Sequence, residues 1–187
     1  LTWETLEGLA KHNGPLLDAP IDSANPPATL PFGLRRILPA QDLELHTHPS
    51  AEAQIAALSD DVAYNNHDID DGLRAGLFTI EALSSVAIVN ETCAEVRAAC
   101  GRVSDSVFIH ELVRRLIGRM VEDILAESRR RLADLVPRTP DDIRRAGRPV
   151  IAFSEAMAAQ DRELKTFLFE NMYRHYLVNR ATSKGRR

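Results

Sequence analysis

An all-α fold is predicted by two observations. Apolar residues recur at helical spacing in the long segments between breaks, and no segment alternates apolar with polar residues as a half-buried strand does. The segments are also bounded by residues that start or stop helices. Thr2 to His12 reads as a short helix, halted by Asn13-Gly14-Pro15, where Asn and Gly tolerate left-handed backbone and Pro cannot continue. Residues 15–40 hold Pro15, Pro20, Pro26, Pro27, Pro31 and Pro39, a loop too rich in proline for regular structure but with Leu30, Phe32, Leu34 and Ile37 to dock it. Ser50 is a good N-cap with Glu52 in the first turn, and a long helix follows to about Leu77. Pieces around Glu81 and from Ile88 to Cys100 read as helical, and Gly101 breaks them. Asp105 to Leu135 is the longest helix, with Val107, Phe108, Leu112, Leu116, Met120, Ile124 and Leu125 at helical spacing. Residues 136–153 form an irregular connection in which Thr139 and Pro140 suit an N-cap and first helical position, and Gly147 a stop. Ser154 caps a last helix reaching about Val178.

At 187 residues the chain is expected to form a single helical domain. Its 44% hydrophobic and 27% charged residues are ordinary for a soluble protein, and no apolar run approaches the ~20 residues of a membrane helix. A net charge of -4 argues against a dedicated duplex-DNA binder, although arginines gather at 129–131, at 144–148 and in the terminal SKGRR. Cys93 and Cys100, seven apart in a helical pattern, suit neither a disulfide framework nor a metal knuckle. They read as core residues of a protein in the reducing cytoplasm. The chain opens on Leu1, already within a helical pattern, as a portion of a longer protein would.

The stretch Asp60 to Asp71, DDVAYNNHDIDD, falls inside the long second helix, yet Asp is a poor helix former. No Lys or Arg occurs between Arg36 and Arg74 to offset these acids from one turn away. At about 100° per residue, Ala51, Ile55, Leu58, Val62, Asn66, Ile69 and Leu73 form one stripe, which should face a core. Ala53, Ala57, Asp60, Tyr64, His67, Asp68 and Asp71 fall on the other side, with Asp60, Tyr64 and Asp68 stacked at i, i+4 and i+8. A merely solvated face would mix charge signs and favour Glu over Asp. Short, stiff carboxylates suit a metal ion or a ribose hydroxyl.

The segment AEAQIAALSDDVAYNNHDIDDGLRAGL resembles the deoxyguanosinetriphosphate triphosphohydrolase-like proteins of the HD superfamily, as do LTWETLEGLAKHNGPL and LKTFLFENMYRH in the same order. The resemblance implies a helical HD-type bundle, incomplete here, that converts a deoxynucleoside triphosphate to deoxynucleoside and tripolyphosphate. It implies a divalent metal held by a His, a His-Asp pair and a distant Asp that opens D-x-x-x-Y-x-x-x-D. Asp60 matches that last ligand, while Tyr64 and Asp68 match residues that contact the deoxyribose, its 3'-hydroxyl or nearby phosphate. The other metal-binding segments are expected before Leu1, since His67-Asp68 is the only His-Asp pair present and lies within the later motif. Magnesium or manganese suits a His and carboxylate set.

His67 shares the polar face and could meet phosphate, whereas His46 and His48, in a loop, and His12 and His110 are set aside as ligands. Lys165 and Tyr173 share a face at i, i+8 with Arg174 beside them, and in related HD enzymes a tyrosine and a basic residue at this spacing line the nucleotide pocket. Lys165, Arg174 and Lys11 are candidates for tripolyphosphate. The expected partners are a dNTP and further copies of the same chain. Rival readings are another HD-family nucleotide phosphohydrolase, or a noncatalytic helical module that completes an oligomer or binds single-stranded nucleic acid through its arginines.

Overall fold

The computed structural model of the chain describes residues 1–174. Helices and loops make up these residues, with no strand among them, as the sequence predicts. None of the helices among them is long and apolar enough to cross a membrane. The single domain expected from length is organised as two compact units. One comprises Leu1–Ser59 with Ala126–Ala152, and the other Asp60–Leu125 with the chain from Phe153 onward.

In the first unit, α1 (Trp3–Lys11) is opened by Thr2, whose hydroxyl accepts from the Thr5 amide at 3.3 Å. A short helix, α2 (Phe32–Ile37), interrupts the proline-rich stretch that was expected to lack regular structure. The prolines bracket it rather than break it: Pro31 is its N-cap, Pro39 follows its C-cap Leu38, and none lies between. Leu30, Leu38, Leu43 and Leu45 form a buried cluster, with Trp3, Leu6, Leu34 and Ile37 packed against it. Phe32, expected to dock the loop, is instead 65% exposed. The long helix α3 (Ala51–Arg74) begins after Ser50, which accepts from the Ala53 amide at 3.3 Å. The connection expected to be irregular contains α7 (Pro140–Arg144), held by a full capping box between Thr139 and Asp142.

In the second unit, α3 continues from Asp60 to Arg74, three residues short of its expected end at Leu77. There follow α4 (Ile80–Leu83), α5 (Ala87–Cys100), the first part of α6 (Asp105–Leu135) and α8 (Glu155–Leu168), which passes into a π-helical turn at Phe169–Tyr173. The α6 bounds agree with those read from the sequence. Val62, Ile69, Leu83, Ile88, Val89, Cys93, Val96, Leu112, Leu116, Met120, Leu164 and Leu168 are buried and form the core. Cys93 is thus a core residue, and Cys100 is half-buried. Ser154 starts α8 as expected: its hydroxyl accepts from the Met157 amide and donates to Asp123 on α6 at 2.7 Å. The expected end of the last helix at Val178 lies outside the described residues.

The predicted apolar stripe of α3 is buried at Val62, Asn66 and Ile69, but Ile55, in its first-unit portion, is 50% exposed. Asn66 sits in the stripe because its amide turns inward, donating to the Val62 carbonyl at 2.8 Å.

Candidate functional site

Two acids of α3, Asp61 and Asp68, find their partners on α8 and the turn that follows it, whereas Asp70 pairs with Arg74 on its own helix at 2.7 Å. Asp61, Asn65 and Asp68 are spaced i, i+4 and i+7, so they line one edge of α3. The Lys165 ammonium donates to Asp61 at 3.1 Å and pairs with Asp161 at 2.9 Å. Asn65 donates to the other oxygen of Asp161 at 3.0 Å, and both residues are buried. One turn further along, the Tyr173 hydroxyl donates to Asp68, itself buried, with Tyr64 near enough to act on the phenol electrostatically. Tyr64, Asp68 and Tyr173 therefore form one polar cluster.

The electrostatics of this edge follow from its packing. Burial, reinforced by the bond to Asp68 and by neighbouring Tyr64, raises the pKa of Tyr173, so that its phenol stays protonated and donates in neutral solution. Burial pulls Lys165 the other way, but the bonds and charges of Asp161 and Asp61 outweigh it. Its pKa is raised, and the ammonium is held charged.

Asp60 and His67 are exposed, and Tyr64 is 57% exposed. Among the described residues no three His, Cys, Asp or Glu side chains are grouped to hold a metal ion. Asp60 thus offers one hard-oxygen ligand that no such group completes among the described residues. Arg174 places its guanidinium 4.8 Å from the Phe169 ring centroid, beside Tyr173 in sequence but turned to a different neighbour. His175, which follows it, lies outside the described residues. His46 and His48 are half-buried in the loop before α3.

Lys11 requires a correction. It was a candidate for phosphate, but it lies in the first unit fully enclosed, 3.0 Å from buried Glu7 and donating to Thr47 at 2.8 Å. Glu7 is shared with Arg144, whose Nε lies 2.8 Å away. Desolvation lowers the Lys11 pKa against the pull of Glu7, and Arg144 adds to the lowering. A cation so enclosed and so paired stabilises a loop and is not presented to a ligand.

Asp61, Asn65 and Asp161 were not singled out from the sequence. The i, i+4 spacing of Asp161 and Lys165 was a signal available for one of them. The opposition of α3 to α8 was not, since Asp61 and Lys165 are 104 residues apart.

Residues 151–187 match the phosphohydrolase-associated domain family. Over all of its length the chain is 50% identical to a deoxyguanosinetriphosphate triphosphohydrolase-like protein of Parvibaculum lavamentivorans, of which it covers 46%. It is 49% identical, over 99% of its length, to one of Azorhizobium caulinodans, covering 47% of that protein. A third, from Allorhizobium ampelinum, is 49% identical over 94% of the chain and 43% of the relative. The chain is a homologue of the deoxyguanosinetriphosphate triphosphohydrolase-like proteins. It spans about half the length of these curated relatives. The family match includes α8 and the π-helical turn, which carry Asp161, Lys165 and Tyr173. The α3 half of the cluster lies outside it.

Proposed function

We propose that this chain is the C-terminal portion of a metal-dependent hydrolase that converts a deoxynucleoside triphosphate and water to deoxynucleoside and tripolyphosphate. The observation that carries the proposal is the meeting of Tyr64, Asp68 and Tyr173. A tyrosine ring more than half exposed offers a flat apolar face to a deoxyribose. Beside it, a buried carboxylate, held in place by the Tyr173 phenol that donates to it, offers an acceptor to the 3'-hydroxyl. The names of the relatives support the same reaction class.

Asp60 fits one position of a divalent metal site: its carboxylate is exposed and is a hard oxygen donor of the kind magnesium or manganese prefers. When bound, such a metal supplies charge that polarises the attacked phosphorus. The chain's own residues do the rest. Tyr64 and Asp68 orient the sugar, Tyr173 keeps its proton and fixes the Asp68 carboxylate, and Lys165 with Arg174 meets the leaving tripolyphosphate. His67, exposed on the same helix, is the imidazole that would meet a phosphate.

In the full-length protein, Asp60→Asn removes a ligand charge while keeping shape, so dGTP hydrolysis with manganese should fall more than about tenfold with the melting temperature nearly unchanged. The isolated 187-residue chain should release no tripolyphosphate, because one carboxylate does not hold a catalytic metal. Robust turnover by that chain, or retained activity in Asp60→Asn, would sink the assignment.

A further inference from the structure

Lys165 is held by two unequal carboxylates. Asp161, at 2.9 Å, has a side chain only 11% exposed, and Asn65 fixes its second oxygen. Asp61, at 3.1 Å, has a side chain 57% exposed and no other hydrogen bond recorded among the described residues. The lysine side chain itself is 42% exposed, so the pair it makes with Asp61 is solvent-accessible on both sides of the bond. We propose that Asp61 is a stand-in for a polyphosphate oxygen: it completes the shell of Lys165 when no nucleotide is bound, and the anionic substrate displaces it.

The inference rests on the reading of Lys165 as a phosphate contact and adds to it a residue that works against binding. Two carboxylates around one ammonium leave a net negative charge where a polyphosphate would arrive. One of them must give way. An exposed ion pair is held weakly, so parting Asp61 from the lysine costs little. Parting Asp161 would strand a buried carboxylate and release the Asn65 amide. Asp161 is therefore the pivot that keeps the ammonium in place, and Asp61 the exchangeable partner, free to turn to another rotamer. Asp61 also directly follows Asp60 on α3, about 100° around the helix. A polyphosphate that reaches Lys165 meets the Asp61 carboxylate already bonded to it. Keeping an acid there lowers affinity, and it keeps the lysine ordered and poised rather than wandering.

The test is steady-state hydrolysis of dGTP by the full-length protein, followed as tripolyphosphate release. Asp61→Asn should lower KM about two- to fivefold, the factor an exposed ion pair is worth, with kcat changed less than KM. Asp61→Glu, which keeps the charge, should shift KM less than Asp61→Asn does. Lys165→Met should raise KM about tenfold or more, as loss of a charge-assisted hydrogen bond does. If Lys165→Met raises KM and Asp61→Asn leaves it unchanged or raises it, the stand-in role is wrong and the phosphate role of Lys165 survives. If Lys165→Met has no effect on KM, the phosphate role itself is wrong and the stand-in falls with it.

Discussion

Tyr64 and Asp68 illustrate how burial separates a contact from a scaffold. Tyr64 is 57% exposed, so its truncation removes little packed volume. A core aromatic would cost about 3–5 kcal/mol when cut to Ala. Tyr64→Ala should instead leave the melting temperature nearly unchanged while raising KM and lowering kcat/KM of the full-length protein, a pattern of lost binding. Asp68 is 8% exposed and receives the Tyr173 hydroxyl, so Tyr173→Phe should cost about 1–3 kcal/mol in thermal or urea unfolding by leaving a buried acceptor short of a donor. A carboxylate that also reads the 3'-hydroxyl should make a dideoxynucleotide a poor substrate, because Asp68 then keeps only the Tyr173 donor and loses the one the sugar supplies. Asp68→Asn should narrow that discrimination. Equal hydrolysis of the dideoxynucleotide by the unaltered protein would remove Asp68 from the sugar site.

At the scale of helices, close packing can be tested at two glycines with opposite expectations. A Cβ on Gly72 of α3 would lie 2.2 Å from the Phe78 ring, which is itself locked edge-on against Phe167 at 5.2 Å between centroids. Gly72→Ala should therefore destabilise by about 1–3 kcal/mol through overpacking. Gly118, inside α6, has open space where its Cβ would go, so Gly118→Ala should stabilise by about 0.5–1 kcal/mol through helix propensity. Urea melts of the two variants check both signs. What the sequence discloses at this scale is what is decided locally. Thr139 and Ser154 cap the helices they were expected to cap, and α6 runs between its predicted ends, because capping and periodicity act over a few residues. The helix α2 was hidden because proline content was weighed over the whole loop, whereas the prolines that bear on residues 32–37 stand outside that span. Of the stack read at i, i+4 and i+8, Tyr64 and Asp68 meet at Tyr173, while Asp60 is exposed. Lys165 as the partner of Asp61 was not legible, since that pairing depends on tertiary packing. Lys11 differs for the same reason: a lysine in the last turn of a helix looks solvated, whereas Glu7, Thr47 and Arg144 surround it in the fold.

Across the whole molecule, the same charged fork occurs twice along α6, once in each unit. Glu111 pairs with Arg114 and Arg115, and Glu127 with Arg130 and Arg131, all within 2.7–2.8 Å at i, i+3 and i+4. The bonds from Arg114 and Arg115 hold Glu111 down at about 2, and those from Arg130 and Arg131 do the same for Glu127, from an ordinary value of 4.5. Between these two values the unfolded chain binds protons that the folded chain refuses, so stability falls as the solution is acidified. The contribution of the forks is fully present above about pH 4.5 and is lost as pH approaches 2. Replacing both glutamates with Gln removes it at every pH. The double variant Glu111→Gln/Glu127→Gln should therefore melt below the unaltered chain at pH 7, and the gap should close as pH falls toward 2. Salt should shrink the gap at pH 7, because the arginine ends of both forks reach solvent and are screened. Melting curves that stay parallel from pH 7 to pH 2 would show that the forks add nothing to the fold.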